Sequence, residues 1–308
     1  MITVAGLSPS LDLTYLVDSL APGSIHRPSE VVRCAGGKSL NLARAAAALG
    51  AEVEIVAVLG GATGEYLAGE LRAEKVSVIE VPTSAETRTC VSIAAADTGQ
   101  LTELYPLADP IPGEVWRTFH DRLAGILPDR PGWLAINGSP PRGLPPESLA
   151  ELIGLARRSG VRVAVDTHGP ALAASVEAGP DLIKVNRFEV AELLGRDADG
   201  DLVVMAEAVR DRGIGTVVIT DGDRGSVALD GQDRWRAPAP TDRGRFPVGS
   251  GDSFLGGLLS ALDRGADLAA GLRLAAGAGT ANALVPGPAR FRTEEARRIA
   301  GALRLEAW

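Results

Sequence analysis

Short apolar runs recur along this chain, and stretches with helical spacing separate them. The β-rich runs span residues 2–6, 53–60, 133–138, 161–167, 182–186 and 216–220. Each run is continuous rather than alternating, which is typical of strands buried on both faces. The segments 39–50, 146–160 and 201–213 have helical patterns, and each ends at a glycine. This alternation predicts an α/β fold with a central, mostly parallel sheet flanked by helices.

Two regions interrupt the alternation. Residues 11–35 and 87–105 contain short β-type runs with polar interruptions, and no helix of useful length separates those runs. They predict a small antiparallel sheet that projects from the main sheet as a lid. Because the sequence has no internal repeat, low-complexity tract or long linker, we interpret residues 1–308 as a single domain that includes this lid.

Composition and charge exclude several classes of protein. The net charge of −8 argues against a nucleic-acid-binding protein. No apolar run reaches the length of a membrane span, and the N-terminus lacks the basic and hydrophobic segments of a secretory signal. We therefore expect a cytoplasmic protein with no membrane partner. Cys34 and Cys90 are too few for a disulfide framework or a zinc cluster, so we expect two reduced thiols.

The stretch "FPVGSGDSF" at 246–254 places two glycines directly before a helical pattern. Glycines allow the backbone to approach a ligand closely, and the free N–H groups of a helix N-terminus attract anions. Residues 248–251 are therefore predicted to bind an anion. Asp252 follows at the helix start, where a carboxylate acts as an N-cap or as a base. The simpler alternative is that the whole stretch is an ordinary helix entry.

Several motifs together resemble those of the ribokinase-like (PfkB) sugar kinases. Residues 246–254 resemble the second signature of that family. Further motifs follow the family's order over nearly the whole chain: "GGKSLNLARAAAALG" (36–50), "GGATGEYLAGEL" (60–71), "NGSPPRG" (137–143), "VDTHGPAL" (165–172), "LIKVNRFEVAELLG" (182–195) and "TDGDRGSVA" (220–228). The resemblance implies a ribokinase-like fold in which a β-lid closes over the sugar. It also implies ATP and Mg²⁺ as cofactors.

Other stretches resemble one branch of this family, which acts on phosphorylated ketohexoses and includes 1-phosphofructokinase and tagatose-6-phosphate kinase. These stretches are "SPSLDLTYLV" (8–17), "GSIHR" (23–27), "GGK" (36–38) and "TR" (87–88). The implied reaction is ATP-dependent phosphorylation of fructose 1-phosphate, fructose 6-phosphate or tagatose 6-phosphate to a bisphosphate. Two alternatives stay open: a kinase of an unphosphorylated sugar or nucleoside, and a non-catalytic regulator that binds sugar phosphates.

The resemblance assigns catalytic roles within the 246–254 stretch. Asp252 matches the family's general base, which takes the proton from the attacking sugar hydroxyl. Gly249, Ser250 and Gly251 would supply N–H donors to the transferring phosphoryl group. This role and helix capping are compatible, because a helix N-terminus offers free N–H groups in either case.

The resemblance also assigns a sugar site. The residues implied to contact the sugar are Asp12, Gly36, Gly37, Asn41 and Ser139. Arg27, Lys38 and Arg88 match the cations expected to hold the phosphate that the sugar already carries. When the phosphate at the far end of the sugar is held, the attacking hydroxyl is oriented. A homodimer formed through the lid is a further partner that the resemblance allows.

The nucleotide and magnesium sites are implied further along the chain. The residues assigned to the nucleotide are Lys184, Asn186, Thr220, Gly222 and Gly225. Asn186 and Glu189 would organise Mg²⁺ through water, since oxygen ligands with retained waters suit this ion. The alternative for this pair is a capping box at a helix N-terminus. The chain departs from the family's motifs at Ser39, His168, Val185, Pro247 and Ser250.

Overall fold

A computed structural model of the chain describes residues 1–308. The strands are β1 (Ile2–Gly6), β2 (Ser10–Val17), β3 (Glu30–Gly36), β4 (Val53–Leu59), β5 (Ser77–Pro82), β6 (Thr89–Ala95), β7 (Leu101–Leu104), β8 (Trp133–Asn137), β9 (Arg162–Asp166), β10 (Leu182–Asn186), β11 (Thr216–Thr220), β12 (Ser226–Leu229), β13 (Arg234–Ala237) and β14 (Glu306–Ala307). The helices are α1 (Lys38–Ala48), α2 (Gly61–Ala73), α3 (Gly113–Ile126), α4 (Ser148–Arg158), α5 (Gly169–Ala178), α6 (Arg187–Leu194), α7 (Leu202–Arg210), α8 (Ser250–Asp263), α9 (Leu268–Ala283) and α10 (Thr293–Ala302). None of the helices is long and apolar enough to cross a membrane.

The main sheet has ten strands in the order β14-β13-β12-β11-β10-β9-β8-β1-β4-β5. From β11 to β5 every neighbouring pair is parallel, while β12, β13 and β14 add an antiparallel edge. The six strands predicted from apolar runs are β1, β4, β8, β9, β10 and β11. The predicted α/β fold with a mostly parallel central sheet is therefore confirmed.

Helices cover both faces of the sheet, which explains the continuous apolar runs. In β4, Ile55 packs in the same core as Leu40 of α1 and Leu258 of α8. The adjacent Val56 faces the other way, into a core that contains Phe119 of α3. Since successive side chains of a strand point to opposite faces, every position of such a strand must be apolar.

The lid is a separate four-stranded sheet in the order β3-β2-β6-β7. Its strands fall in the two predicted lid segments, but the prediction of a purely antiparallel sheet was wrong. The pairs β2–β3 and β6–β7 are antiparallel, whereas β2 and β6 run parallel. The reason is that β1 leads into β2 and β5 leads into β6. Because β1 and β5 run parallel in the main sheet, the chain enters β2 and β6 in the same direction.

Candidate active site

A cavity of about 720 Å³ lies between the lid and the carboxyl ends of strands β8 to β11. Ligands of open α/β sheets bind at this edge, outside the carboxyl ends of the strands. Most of the predicted site residues line the cavity: Asp12, Gly37, Lys38, Asn41, Arg88, Ser139, Lys184, Asn186, Glu189, Thr220, Gly222, Gly249, Gly251 and Asp252. The fold therefore brings together side chains from distant parts of the sequence.

A second cavity, of about 320 Å³, adjoins the first. Thr220, Gly222 and Gly251 line both cavities, so the two spaces meet at the start of α8. Gly225 and Ser250, which were also predicted near phosphate or nucleotide, line only the second cavity. One of its walls is the face of α9 that carries the small residues Ala276, Gly279, Thr280 and Ala283.

Two predicted sugar-site residues line neither cavity. Arg27 lies exposed on the loop between β2 and β3, at the far end of the lid hairpin. Its contact with the sugar's phosphate stays a prediction. Gly36 lies behind the Asp12 side chain, and a Cβ atom at Gly36 would overlap the Asp12 carboxylate. Because glycine has no side chain, Gly36 leaves room for the Asp12 carboxylate.

Asp252 is the buried carboxylate at the centre of the site. It belongs to the first turn of α8, which begins after Gly249 in the left-handed conformation (φ 79°). The Asn41 amide donates to its Oδ2 over 2.9 Å, and the Asn137 amide donates to its Oδ1 over 3.1 Å. Burial raises the pKa of Asp252, while Lys38 and the two amides act in the opposite direction.

Close packing of α1 against α8 brings Asn41 to Asp252. A Cβ atom added at Gly256 of α8 would lie 3.0 Å from the backbone oxygen of Leu42 in α1. Only a residue without a side chain allows the two helices to approach this closely. The glycines that follow Phe254 in the sequence therefore contribute to the geometry of the site, one turn away from the carboxylate.

The first turn of α8 has free N–H groups, but not the set that the sequence predicted. The Ser250 N–H donates to the Pro247 oxygen over 3.0 Å, so it is not available to a ligand. Gly249, Gly251 and Asp252 have N–H groups without an acceptor in the chain. The prediction for Ser250 is thus corrected: the tight turn before the helix uses its N–H, and the next N–H along the helix is free.

Asn282, which the sequence analysis did not single out, fixes this turn. Its buried amide donates to the Val248 oxygen over 2.8 Å and to Ser250 Oγ over 3.0 Å. Its Oδ1 accepts the Ala289 N–H over 2.6 Å. Asn282 therefore ties the turn before α8 to the loop after α9. Its position within an alanine- and glycine-rich helix gave no signal of this role.

A second buried carboxylate, Asp166, lies near Asp252 and was also missed by the sequence analysis. It ends β9, and Lys184 Nζ donates to its Oδ2 over 2.5 Å. Lys38 Nζ lies 3.8 Å from its Oδ1. Burial opposes the charge of Lys38, but Asp166, Asp252 and Glu189 together raise its pKa. The Lys38 ammonium thus lies beside the carboxylate cluster, and its contact with the sugar's existing phosphate stays a prediction.

Asn186 and Glu189 form the capping box that was the alternative to a magnesium site. Asn186 Oδ1 accepts the N–H groups of Phe188 and Glu189, and Glu189 Oε2 accepts the Asn186 N–H over 2.7 Å. Glu189 Oε1 makes no hydrogen bond, and the residue lines the main cavity. No group of three or more His, Cys, Asp or Glu side chains could hold a metal ion by itself. One free carboxylate oxygen fits Mg²⁺ that retains waters and phosphate ligands.

Asp12 lies on the lid side of the cavity. Ser10 Oγ donates to its Oδ1 over 2.6 Å, and the Gly37 N–H donates to its Oδ2 over 3.4 Å. Burial raises the pKa of Asp12 to about 6, although these hydrogen bonds favour the charged form. The side chain is thus a carboxylate poised to change charge near neutral pH.

Arg88 and Ser139 line the cavity between the lid and the end of β8. Arg88 Nη1 donates to the Pro106 oxygen over 2.8 Å, and its buried Nε has no acceptor. Ser139 Oγ lies 3.3 Å from Thr167 Oγ1 and 3.2 Å from the His168 ring. His168, one of the departures from the family's motifs, also lines the cavity.

The comparisons with known proteins assign this α/β fold to the ATP-dependent carbohydrate kinases. The chain belongs to the pfkB family of carbohydrate kinases, whose sequence profile matches residues 1–295. Phosphofructokinase-2 from Escherichia coli in complex with fructose-6-phosphate is 27% identical, with a TM-score of 0.88 over 97% of this chain and 98% of that one. The tetrameric inhibited form of the same enzyme gives 27% identity and a TM-score of 0.86 over the same shares. A possible 1-phosphofructokinase from Thermotoga maritima shares the fold, with 19% identity and a TM-score of 0.87 over 100% and 99% of the two chains.

Proposed function

We propose that this protein transfers the γ-phosphoryl group of ATP to a hydroxyl of a phosphorylated ketohexose, with Asp252 as the general base. The observation that carries the proposal is the position of Asp252. Its carboxylate lines the larger cavity in the same turn of α8 whose Gly251 lines both cavities. A sugar hydroxyl held in the larger cavity would meet a phosphoryl group that enters from the smaller one.

Asp252 would take the proton of the attacking hydroxyl as the new oxygen–phosphorus bond forms. Burial raises its pKa, which makes the carboxylate a better proton acceptor, and the amides of Asn41 and Asn137 keep it oriented. The free N–H groups of Gly251 and Asp252 would stabilise negative charge on the transferred group. Lys38 and Lys184 add positive charge beside Asp166.

The nucleotide would occupy the smaller cavity, with Thr220, Gly222 and Gly225 near its phosphates or ribose and Lys184 and Asn186 at the junction. Bound Mg²⁺ would neutralise charge on the nucleotide's phosphates. Glu189, whose Oε1 is free, and Asn186 would hold that ion through water. The space beside the small residues of α9 suits a flat adenine ring.

The sugar would lie under the lid. The Asp12 carboxylate would accept hydrogen bonds from its hydroxyls, and the Asn41 amide would donate to them. Gly37 and Ser139 line the same space. Closure of the lid would exclude water that could otherwise hydrolyse ATP. Arg88 would bind the phosphate that the sugar already carries. The similarity to a phosphofructokinase solved with fructose-6-phosphate supports a phosphorylated ketohexose.

We also propose that two copies of the protein associate through their lids. The lid and the segment after β7 expose large apolar side chains, and the exposed fractions are 85% for Ile25, 58% for Leu104 and 71% for Leu107. Large exposed apolar side chains on one projecting element are surface that a partner could cover. A related phosphofructokinase forms tetramers, which supports association in this family.

A substrate panel tests the proposed function. Fructose 1-phosphate, fructose 6-phosphate, tagatose 6-phosphate, free fructose, ribose and adenosine would each be offered with ATP and Mg²⁺ in a coupled assay of ADP release. We expect the highest kcat/KM for one of the three phosphorylated ketohexoses. A higher value for a free sugar or nucleoside would reject this function, and so would the absence of turnover with every compound.

A further inference from the structure

The loop after β8 carries an arginine, Arg142, for which the sequence motif gave no role. In "NGSPPRG" it occupies the variable position of the family's "S-G-S-L-P-x-G" pattern. In the structure Arg142 lines the main cavity at its rim. The loop is fixed there, because the Ile111 N–H donates to the Arg142 oxygen over 3.0 Å. Gly143 follows with a φ of 88°, packed against the Ile111 backbone.

Arg142 and Arg88 are attached to one short segment of chain. Arg88 Nη1 donates to the Pro106 oxygen over 2.8 Å, and Arg142 Nε donates to the Ala108 oxygen over 3.3 Å. These carbonyl groups belong to residues two apart, just after the last lid strand. The two guanidinium groups therefore share one wall of the cavity, although their residues are distant in the sequence.

The charges on these two arginines are not neutralised. Among the cationic side chains of the cavity, Lys38 and Lys184 lie beside the Asp166 carboxylate, at 3.8 and 2.5 Å. Arg88 and Arg142 form no ion pair, and each donates only to a backbone carbonyl. The buried Nε of Arg88 has no acceptor at all. The cavity thus has an acidic end around Asp252 and a second wall with two unpaired positive charges.

We propose that Arg142 acts with Arg88 as a pair of guanidinium groups that binds the existing phosphate of the sugar substrate. This inference rests on the proposed function and assigns the substrate's phosphate to a particular wall of the site. A phosphate dianion matches two guanidinium groups, because each presents parallel N–H donors to phosphate oxygens. Each arginine keeps most of its donors for this purpose after its single bond to a carbonyl.

The pair also explains how the enzyme selects its substrate. A phosphate bound at this wall holds one end of the sugar, so the hydroxyl at the other end is directed toward the base. A free sugar leaves both positive charges without a partner and lacks this fixed point. Arg142 is therefore a specificity-determining residue, and Lys38, held in the carboxylate cluster, is not part of the pair.

The test compares Arg142→Ala and Arg142→Lys with Arg122→Ala. Arg122 is an exposed arginine of α3 that lines neither cavity, so its removal changes the net charge equally. The substrates are the preferred phosphorylated ketohexose and the corresponding free sugar. For Arg142→Ala we expect kcat/KM on the phosphorylated sugar to fall about tenfold or more, as for loss of a charged hydrogen bond. Activity on the free sugar and the KM for ATP should stay unchanged.

Two further readouts distinguish phosphate binding from a general structural effect. Inorganic phosphate, used as a competitive inhibitor against the sugar phosphate, should bind about tenfold more weakly to Arg142→Ala. Arg142→Lys should recover part of the loss, because lysine keeps the charge but not the paired donors. Arg122→Ala should behave as the unmodified protein does.

Three other outcomes would each reject the inference. Unchanged kinetics of Arg142→Ala on the phosphorylated sugar would reject the arginine pair and leave the proposed function intact. An equal loss on phosphorylated and free sugars would show that Arg142 supports the fold or the nucleotide instead. If the unmodified enzyme prefers a free sugar or nucleoside, both the pair and the proposed function fail.

Discussion

The side-chain amide of Asn137 donates to the Asp252 carboxylate over 3.1 Å, across 115 positions of sequence. The same amide donates to the Lys38 oxygen over 2.8 Å. The end of β8, the start of α1 and the start of α8 are therefore joined through one side chain. This amide orients the carboxylate and lowers its pKa, against the effect of burial.

Replacement of Asn137 by alanine should shift the pH dependence of catalysis. Without this hydrogen bond the pKa of Asp252 rises further, so the acidic limb of kcat should move to higher pH. We expect this limb to move up by about one pH unit, in line with the loss of a hydrogen bond to a charged group. A pH series of kcat under saturating substrates measures this effect. An acidic limb identical to that of the unmodified enzyme would mean that Asn137 does not act on the base.

Lys38 should affect catalysis rather than the choice of substrate. Its ammonium lies 3.8 Å from Asp166 and also interacts with Asp252, so Lys38→Ala removes positive charge from the centre of the site. We expect kcat to fall about a hundredfold, equally for phosphorylated and free sugars. Arg88→Ala, measured in parallel, should lower kcat/KM for the phosphorylated sugar selectively. A selective loss in Lys38→Ala would return this residue to the binding of the sugar's phosphate.

The sequence predicted the architecture well because the central strands have a strong physical signature. Buried parallel strands such as β4 and β10 need apolar residues at every position, and such runs are visible without a structure. The edge strand β5 was missed, since most of its side chains are exposed or half-buried. The parallel pairing of β2 with β6 also escaped prediction, because it depends on how two distant strands leave the main sheet.

Replacement of Asp12 by asparagine should raise the stability of the fold and lower the activity. Its pKa is about 6 in the folded protein, against 3.8 for an unperturbed aspartate. A raised pKa stabilises the fold below about pH 3.8, and this contribution is lost as the pH rises through about 6. Asp12→Asn should therefore gain stability relative to the unmodified protein as the pH rises between these values and keep that advantage above about pH 6, while its kcat/KM for the sugar falls. Thermal unfolding across this pH range measures the first effect.

A constant difference in Tm between Asp12→Asn and the unmodified protein would contradict this account of Asp12. The unmodified enzyme provides a second check. Its kcat/KM for the sugar should decline as the pH falls through about 6, since the free enzyme then loses the Asp12 carboxylate.

The lid should be less stable than the main sheet in the absence of ligand. Its strands β3, β2, β6 and β7 form a separate sheet, and β7 is short and mostly exposed. Amide hydrogen exchange should therefore be faster in residues 11–35 and 87–105 than in β4 or β10, and addition of the sugar phosphate should slow it. Equal protection of the lid and the central sheet would mean that the lid is rigid and does not close over the sugar.

The catalytic site was only partly accessible to sequence analysis. Asp252 and Asn41 lie in glycine-containing motifs that resemble the family's signatures, and that resemblance indicated their roles. Asp166 and Asn282 become important only through the tertiary contacts that their buried side chains make. The N–H of Ser250 was assigned to the anion site because a sequence does not reveal which groups a tight turn consumes. Arg142 lies at a variable position, where only the structure shows the neighbouring Ala108 carbonyl.

Asp252→Asn removes the proposed general base and keeps the size of the side chain. Because the amide cannot take a proton, we expect kcat to fall by about a thousandfold, while the Kd for ATP stays near that of the unmodified enzyme. Single-turnover kinetics with the preferred phosphorylated ketohexose would separate the chemical step from binding. Near-normal turnover in this variant would mean that a group other than Asp252 is the base.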